Sequence, residues 1–382
     1  MVYLNNAATT WPKPESVYRA ADRCLRSLTG TPGRGGHPGV VSAGRLLLET
    51  RETLAALFGA GEPEKIVFTA NATEALNLVL RGLLRPGDHV ITTGLEHNSV
   101  ARPLTALSAQ GVEVTILPCS PSGSLEMARV QEAIRPHTRL IAMTHASNVT
   151  GALLPVEEVG ALARKHGILF LVDAAQTAGE VPIDVEAAEI DFLAFTGHKA
   201  LFGPPGTGGL YIRDPEALPP LKYGGTGSRS ESLDQPDFAP DKFESGTPNL
   251  PGIAALGEGV RFVLQTGLAA IARHNRELTA RLLEGLKTIP GLTVYGPPGP
   301  EGRLPVVSVN LQGLSPGEAA AWLAAKYEIV TRPGLHCAPL AHRTLGTLET
   351  GTLRLSPGFF NTAQEIDLAL EALRELAREV RR

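Results

Sequence analysis

The chain has 382 residues, 43% of them hydrophobic and 19% charged, the balance of an ordinary soluble globular protein and more than one hydrophobic core serves, so two domains are expected. Its 35 basic and 39 acidic residues leave a net charge of -4 without a basic cluster, which removes nucleic acid and anionic membrane as partners and points to a small-molecule ligand. No apolar run approaches the roughly 20 residues of a bilayer span, the start Met1-Val2-Tyr3-Leu4-Asn5-Asn6 has no export pattern, and Cys24, Cys119 and Cys337 suit neither a disulfide framework nor a CxxC metal site, so reduced cytoplasmic thiols and no metal are expected.

From about 64 to 213, short β-rich runs alternate with helical patterns: Ile66–Thr69, His89–Thr92, Val112–Ile116, Leu140–Met143 and Ile168–Val172. That rhythm predicts a mainly parallel α/β sheet. Asp191–Phe195 and Gly209–Ile212 follow, separated by a Gly/Pro-rich loop too short for a helical crossover, so one strand should run antiparallel to its neighbour. Residues 214–252 are rich in Gly, Pro, Ser and Asp and read as an extended loop region with a domain boundary near its end. Beyond it come two long helical patterns, strands at Leu292–Tyr295 and Val306–Asn310, a helix over 316–326 and a strand at Ile329–Val330. The chain closes on a helix introduced by the capping-box pattern Thr362-Ala363-Gln364-Glu365, with Ile366, Leu370, Leu373, Leu376 and Val380 as its apolar stripe.

Two residues carry the chemistry. Asp173 ends the apolar run Ile168–Val172, and open α/β sheets bind ligands at the carboxyl ends of their parallel strands; a helix cap or turn is its alternative role. Lys199, in Thr196-Gly197-His198-Lys199, follows another strand in an apolar, Gly-rich setting, where desolvation lowers a lysine's pKa and suits it to form a Schiff base. A lysine imine and a carboxylate that keeps a pyridine nitrogen protonated are what pyridoxal 5′-phosphate (PLP) chemistry requires. The turn Thr69–Leu76 could receive the phosphate on free amides and the Thr73 hydroxyl, although Thr73 could equally be a plain N-cap.

At these motifs the chain resembles the class V aminotransferase group of fold-type I PLP enzymes, and in its last third the cysteine desulfurase and selenocysteine lyase branch. The resemblance rests on Leu4–Ala8, Asn71–Glu74, Glu96–Ser99, Ser147–Gly151, Asp173–Gln176, Thr196–Lys199, Phe243–Asn249 and Arg332–Ala338. It implies an α/β fold-type I architecture: a large PLP-binding domain over 15–252 with a mainly parallel seven-stranded sheet, and a smaller α+β domain from 1–14 and 253–382 that carries the Cys337 loop and Arg354. It further implies that His97 stacks on the cofactor ring and shuttles protons, that Gln176 bonds the ring oxygen, and that Ala72, Thr73, Thr196 and His198 hold the phosphate. Asn148 and Ala7 would stand near ring and substrate, and Thr247 would reach the phosphate of a second subunit, making a homodimer.

Cys337 selects the branch. Gly334-Leu335-His336-Cys337-Ala338-Pro339 is a Gly/Pro-rich loop beside a histidine, where a thiolate could be accessible. The resemblance makes Cys337 the persulfide-forming nucleophile, taking sulfur from L-cysteine or selenium from L-selenocysteine to a protein acceptor, with iron–sulfur cluster assembly as the expected pathway. Arg354, between Leu353 and Leu355, resembles the family's substrate-carboxylate clamp; an edge-strand surface arginine is its alternative. The compact loop resembles the Suf-type branch but departs from it in Pro333 and in Ala338-Pro339-Leu340-Ala341-His342, which bears on the sulfur acceptor. An aminotransferase that keeps the fold while Cys337 is incidental is the rival within the group. Two other classes fail: Gly203–Gly208 resembles an ATPase loop but continues into Gly209 and Leu210 where Lys and Ser/Thr are required, and His336, Cys337 and His342 lack a fourth metal ligand and a familiar spacing.

Overall fold

A computed structural model describes residues 1–33 and 35–381. Seven strands form the central sheet in the spatial order Ile66–Thr69, Gly208–Ile212, Phe192–Thr196, Leu169–Asp173, Thr138–Thr144, His89–Thr93 and Glu113–Leu117. Gly208–Ile212 alone runs against the others, pairing antiparallel with both neighbours, as the short loop before it dictates. Its approach needs glycine: a Cβ on Gly208 would lie 2.7 Å from the Phe195 carbonyl oxygen and 2.8 Å from the Asn71 Cα. The strands at His89–Thr93, Phe192–Thr196 and Gly208–Ile212 are buried along their whole length, the state a continuous apolar run predicts for strands covered on both faces.

One apolar cluster, including Phe58, Ile91, Phe170, Phe195 and Tyr211, fills one side of this sheet, and a second, including Leu76, Leu80, Val90 and Leu140, fills the other. The helix Leu250–Thr266 packs Leu256, Val260 and Val263 into the first cluster, and the helix Leu268–Lys287 packs Leu278, Leu282 and Leu286 against a different sheet. That sheet is antiparallel, in the order Arg332–Gly334, Thr352–Leu355, Val307–Leu311, Leu292–Tyr295. The chain start joins the same core, since Val2–Tyr3 pairs in parallel with Ile329–Val330. The last helix, Ala363–Val380, begins at the expected capping box on Thr362 and Glu365, and buries Ile366, Leu370, Leu373 and Leu376. Ser315 and Glu318 make a second capping box, on the helix Pro316–Tyr327. Among the described residues no helix is long and apolar enough to cross a membrane.

Candidate active site

Because six of the seven central strands point the same way, their carboxyl ends converge on one edge of the sheet, and the loops leaving that edge build a cavity of about 210 Å³. Asp173 is the last residue of its strand, and Thr196 the last of the neighbouring one; the turn after Thr196 delivers His198 and Lys199. The strand ending at Thr144 leads to Asn148, the one ending at Thr93 leads to His97, and the one ending at Thr69 leads to Ala72 and Thr73. Ala7 and Gln176 line the same space, joined by a 3.0 Å bond from Gln176 Nε2 to the Ala7 carbonyl. Cys337 enters from the small sheet's side.

Two predicted residues stand apart from that lining. Thr247 is exposed on the loop after residue 213 and borders a different cavity. Arg354 is fully buried in the wall: its Nη1 donates to the Asn148 carbonyl at 2.8 Å and its Nη2 to Asn5 Oδ1 at 3.2 Å. Its strand lies between two others, so the edge-strand alternative does not hold. The cap alternative for Thr73 also falls, since the N-cap of the helix Ala72–Leu83 is Asn71, whose side chain accepts from the Glu74 amide at 3.0 Å. His97 has two positions of consequence. It caps the helix Asn98–Ser108, with Nδ1 accepting from the Ser99 amide at 3.1 Å, and it faces the cavity.

Electrostatics follow from burial. Asp173 is 4% exposed and burial raises its pKa, against the Ala175 amide bond and the Lys199 charge, which lower it. Burial likewise pushes the Lys199 amine down to about 8, with Asp173 opposing and Arg354 and Arg332 assisting. Desolvation, then the charges of Lys199, Arg332, Arg102 and Arg354, lower His97 to about 4. With Nδ1 an acceptor, the neutral His97 ring carries its proton on Nε2.

Sequence reasoning left Arg332 as a motif member without a role, yet its Nη2 stands 3.5 Å from Cys337 Sγ. An isolated arginine beside a Pro-Gly pair carries no signal of that contact, which the loop's fold creates. His336 and Cys337 both adopt left-handed backbone, at φ 51° and 56°. Each costs about 1–2 kcal/mol for a residue with a Cβ, and the surroundings hold them there: Asn148 Nδ2 donates to the His336 carbonyl at 2.8 Å, and the Asn98 amide to the Cys337 carbonyl at 2.7 Å.

The donor set fits pyridoxal phosphate. A buried carboxylate and a desolvated lysine share the cavity without pairing with one another, leaving room for a group between them. The first turn of the helix Ala72–Leu83 offers free amides, and His198 Nδ1 and Asn148 Oδ1 are buried without a protein partner.

The family described as aminotransferase class-V matches residues 2–369, and the chain belongs to it. Its members are PLP-dependent enzymes. Within that family several of its relatives are cysteine desulfurases. A probable cysteine desulfurase of Methanothermobacter thermautotrophicus is 38% identical over 98% of this chain and 94% of its own, and a cysteine desulfurase of Escherichia coli strain SE11 is 34% identical over 99% and 94%. The apo structure of cysteine desulfurase from Thermococcus onnurineus superposes with a TM-score of 0.94 at 35% identity, covering 99% of this chain and 95% of that one. The S-sulfonic acid structure of the Escherichia coli cysteine desulfurase CsdA gives 0.88 at 30% identity, covering 99% and 94%.

Proposed function

We propose that the protein converts L-cysteine to L-alanine as a PLP-dependent cysteine desulfurase, with the sulfur passing to Cys337 as a persulfide. The observation that carries this reading is the position of Cys337 on the lining that also contains Lys199 and Asp173, with Arg332 Nη2 at its sulfur. Transamination needs no thiol there, whereas sulfur transfer needs an attacking one.

Bound PLP would supply an electron sink that makes the substrate's α-proton removable. Lys199 would hold the cofactor covalently and then take that proton on Nζ; an amine with a pKa near 8 is poised for both. Asp173, kept from water, would hold a proton on the pyridine nitrogen. His97 would stack on the ring and donate from Nε2, and Gln176 would bond the ring oxygen. Ala72, Thr73, Thr196 and His198 would receive the phosphate, and Arg354, released from Asn5 and turned from the wall into the cavity beside Asn148 and Ala7, would place the substrate carboxylate. At Cys337 the Sγ–S bond forms as the substrate's C–S bond breaks, its electron pair going to carbon, where protonation gives the alanine methyl. A reducing thiol or an acceptor protein thiol then removes the persulfide sulfur.

Thr247, exposed and outside its own chain's cavity, suits a role in the phosphate site of a second subunit, so we read the working form as a cytoplasmic homodimer that delivers sulfur to a protein acceptor in iron–sulfur cluster assembly. Purified protein and Cys337→Ala, each given L-cysteine and a reductant, test the core of this reading. Wild type should release alanine and sulfide in equal amounts, while the variant keeps its visible cofactor band and makes neither. Alanine from the variant at the wild-type rate would overturn the role of Cys337. Sedimentation equilibrium tests the dimer.

A further inference from the structure

His336 and His342 lie six positions apart, and both are buried, at 2% and 0% exposure. They lie nearly parallel, at 20°, with His336 Nδ1 3.3 Å from His342 Nε2. The two outer nitrogens are also occupied: His336 Nε2 lies 2.9 Å from the Arg332 carbonyl, and His342 Nδ1 lies 2.8 Å from Thr347 Oγ1. A carbonyl only accepts, so His336 carries its proton on Nε2 and its Nδ1 accepts. His342 must then donate from Nε2 and accept on Nδ1 from the Thr347 hydroxyl. The result is one directed chain of hydrogen bonds, Thr347 to His342 to His336 to the Arg332 backbone, with every ring nitrogen used.

Its far end is fixed in the core. The short helix Pro339–Leu345 that bears His342 seats Ala341 in the apolar cluster of the central sheet, together with Ala338 just before it, and the Thr347 amide bonds the His342 carbonyl at 2.8 Å. Its near end grips the two parts of the site that sequence alone did not connect: the left-handed His336-Cys337 pair and the backbone of Arg332, whose guanidinium reaches the sulfur. The Ala338 amide closes the loop on the Leu335 carbonyl at 2.9 Å.

We propose that His342 is a positioning residue for Cys337, its hydrogen bond to His336 transmitting the rigidity of the central core to the nucleophile and to Arg332 together. The proposal rests on the desulfurase reading for the purpose of that rigidity, not for its existence. His342 is not part of the cavity lining.

The experiment compares His342→Leu, His342→Gln and Thr347→Val with wild type in the PLP-loaded protein, by hydrogen exchange over residues 332–338 and by steady-state kinetics with L-cysteine. Glutamine keeps a donor for His336 and an acceptor for Thr347; leucine keeps neither. Loss of a buried hydrogen bond corresponds to about a tenfold effect. The leucine variant should therefore exchange the 335–338 amides about tenfold faster and lose about tenfold in kcat at little-changed KM, with glutamine recovering most of both. Thr347→Val, which removes only the last donor, should fall between them and serves if the leucine variant does not fold. Wild-type exchange in the leucine variant, or equal defects in leucine and glutamine, overturns the proposal. The exchange result stands without any activity, so a wild type that forms no alanine would count against the desulfurase reading and leave the anchoring role to the exchange data.

Discussion

Arg354 donates from Nη1 to the carbonyl of Asn148 at 2.8 Å, and so ties the middle of the small sheet to the wall of the cavity. Asn148 passes the connection on through its amide group to the His336 carbonyl, so the proposed clamp, the cavity wall and the nucleophile's loop share one network. Arg354→Lys keeps a charge but places a single point donor where a planar fork meets Asn148 and Asn5. We expect KM for L-cysteine to rise about tenfold or more, and stability to fall by about 1–3 kcal/mol as buried acceptors lose their partner. Saturation kinetics and urea unfolding measure the two effects separately.

The Lys199 amine, lowered by burial to about 8, is protonated below that pH and free above it. Uptake of PLP by the apoprotein should accelerate from pH 6 to about 8 and then level off, since only the free amine is a nucleophile. Stopped-flow absorbance follows the uptake; a rate still climbing toward pH 10 would mean that Lys199 is not desolvated.

Glu180, 8% exposed, accepts from Asn275 Nδ2 at 2.6 Å, and burial raises its pKa to about 7. Its folded pKa lies above the unfolded one, so its contribution to stability is fully present below about pH 4.5 and is lost as pH rises toward and through 7. Glu180→Gln keeps the acceptor and removes the charge. Relative to wild type it should gain stability between pH 5 and pH 8, by at most about 3 kcal/mol. Unfolding curves at the two pH values check the sign.

Arg51 and Glu244 form a two-pronged buried pair, at 2.7 and 2.5 Å, and Glu244 also accepts from the Phe68 amide at 2.6 Å. Arg51→Met leaves the carboxylate without its cation at a cost of about 3 kcal/mol or more. Because Thr247 follows Glu244 by three residues, limited proteolysis should cut residues 245–249 sooner in this variant, and denaturant unfolding should shift to lower concentration.

Cys337→Ser tests the thiol itself, exchanging sulfur for oxygen at nearly constant size: it preserves the loop, since Asn98 and Asn148 hold main-chain carbonyls, and should leave cofactor binding and thermal stability within about 0.5 kcal/mol of wild type while abolishing alanine release.

The amino-acid sequence by itself determined the seven strands of the central sheet, a reversal of direction between Phe192–Thr196 and Gly208–Ile212, and the candidacy of Asp173, Lys199 and Cys337, but not the short strands Val2–Tyr3 and Arg332–Gly334. Apolar runs, turn residues and a lysine in an apolar setting report each segment's own burial and backbone preference. The final helix was legible for the same reason, through Thr362, Glu365 and its stripe, and the cap at Ser315 could have been read from Ser315-Pro316-Gly317-Glu318. Only the tertiary structure decided that Arg354 lies inside a sheet rather than on its edge, that Arg332 meets the Cys337 sulfur, and that His336 and His342 join in one directed chain. Those relationships depend on strand order and on loops closing over a core. A hydrogen bond between residues 206 positions apart leaves no trace in local periodicity, because the partner is chosen by packing and not by the neighbouring chain.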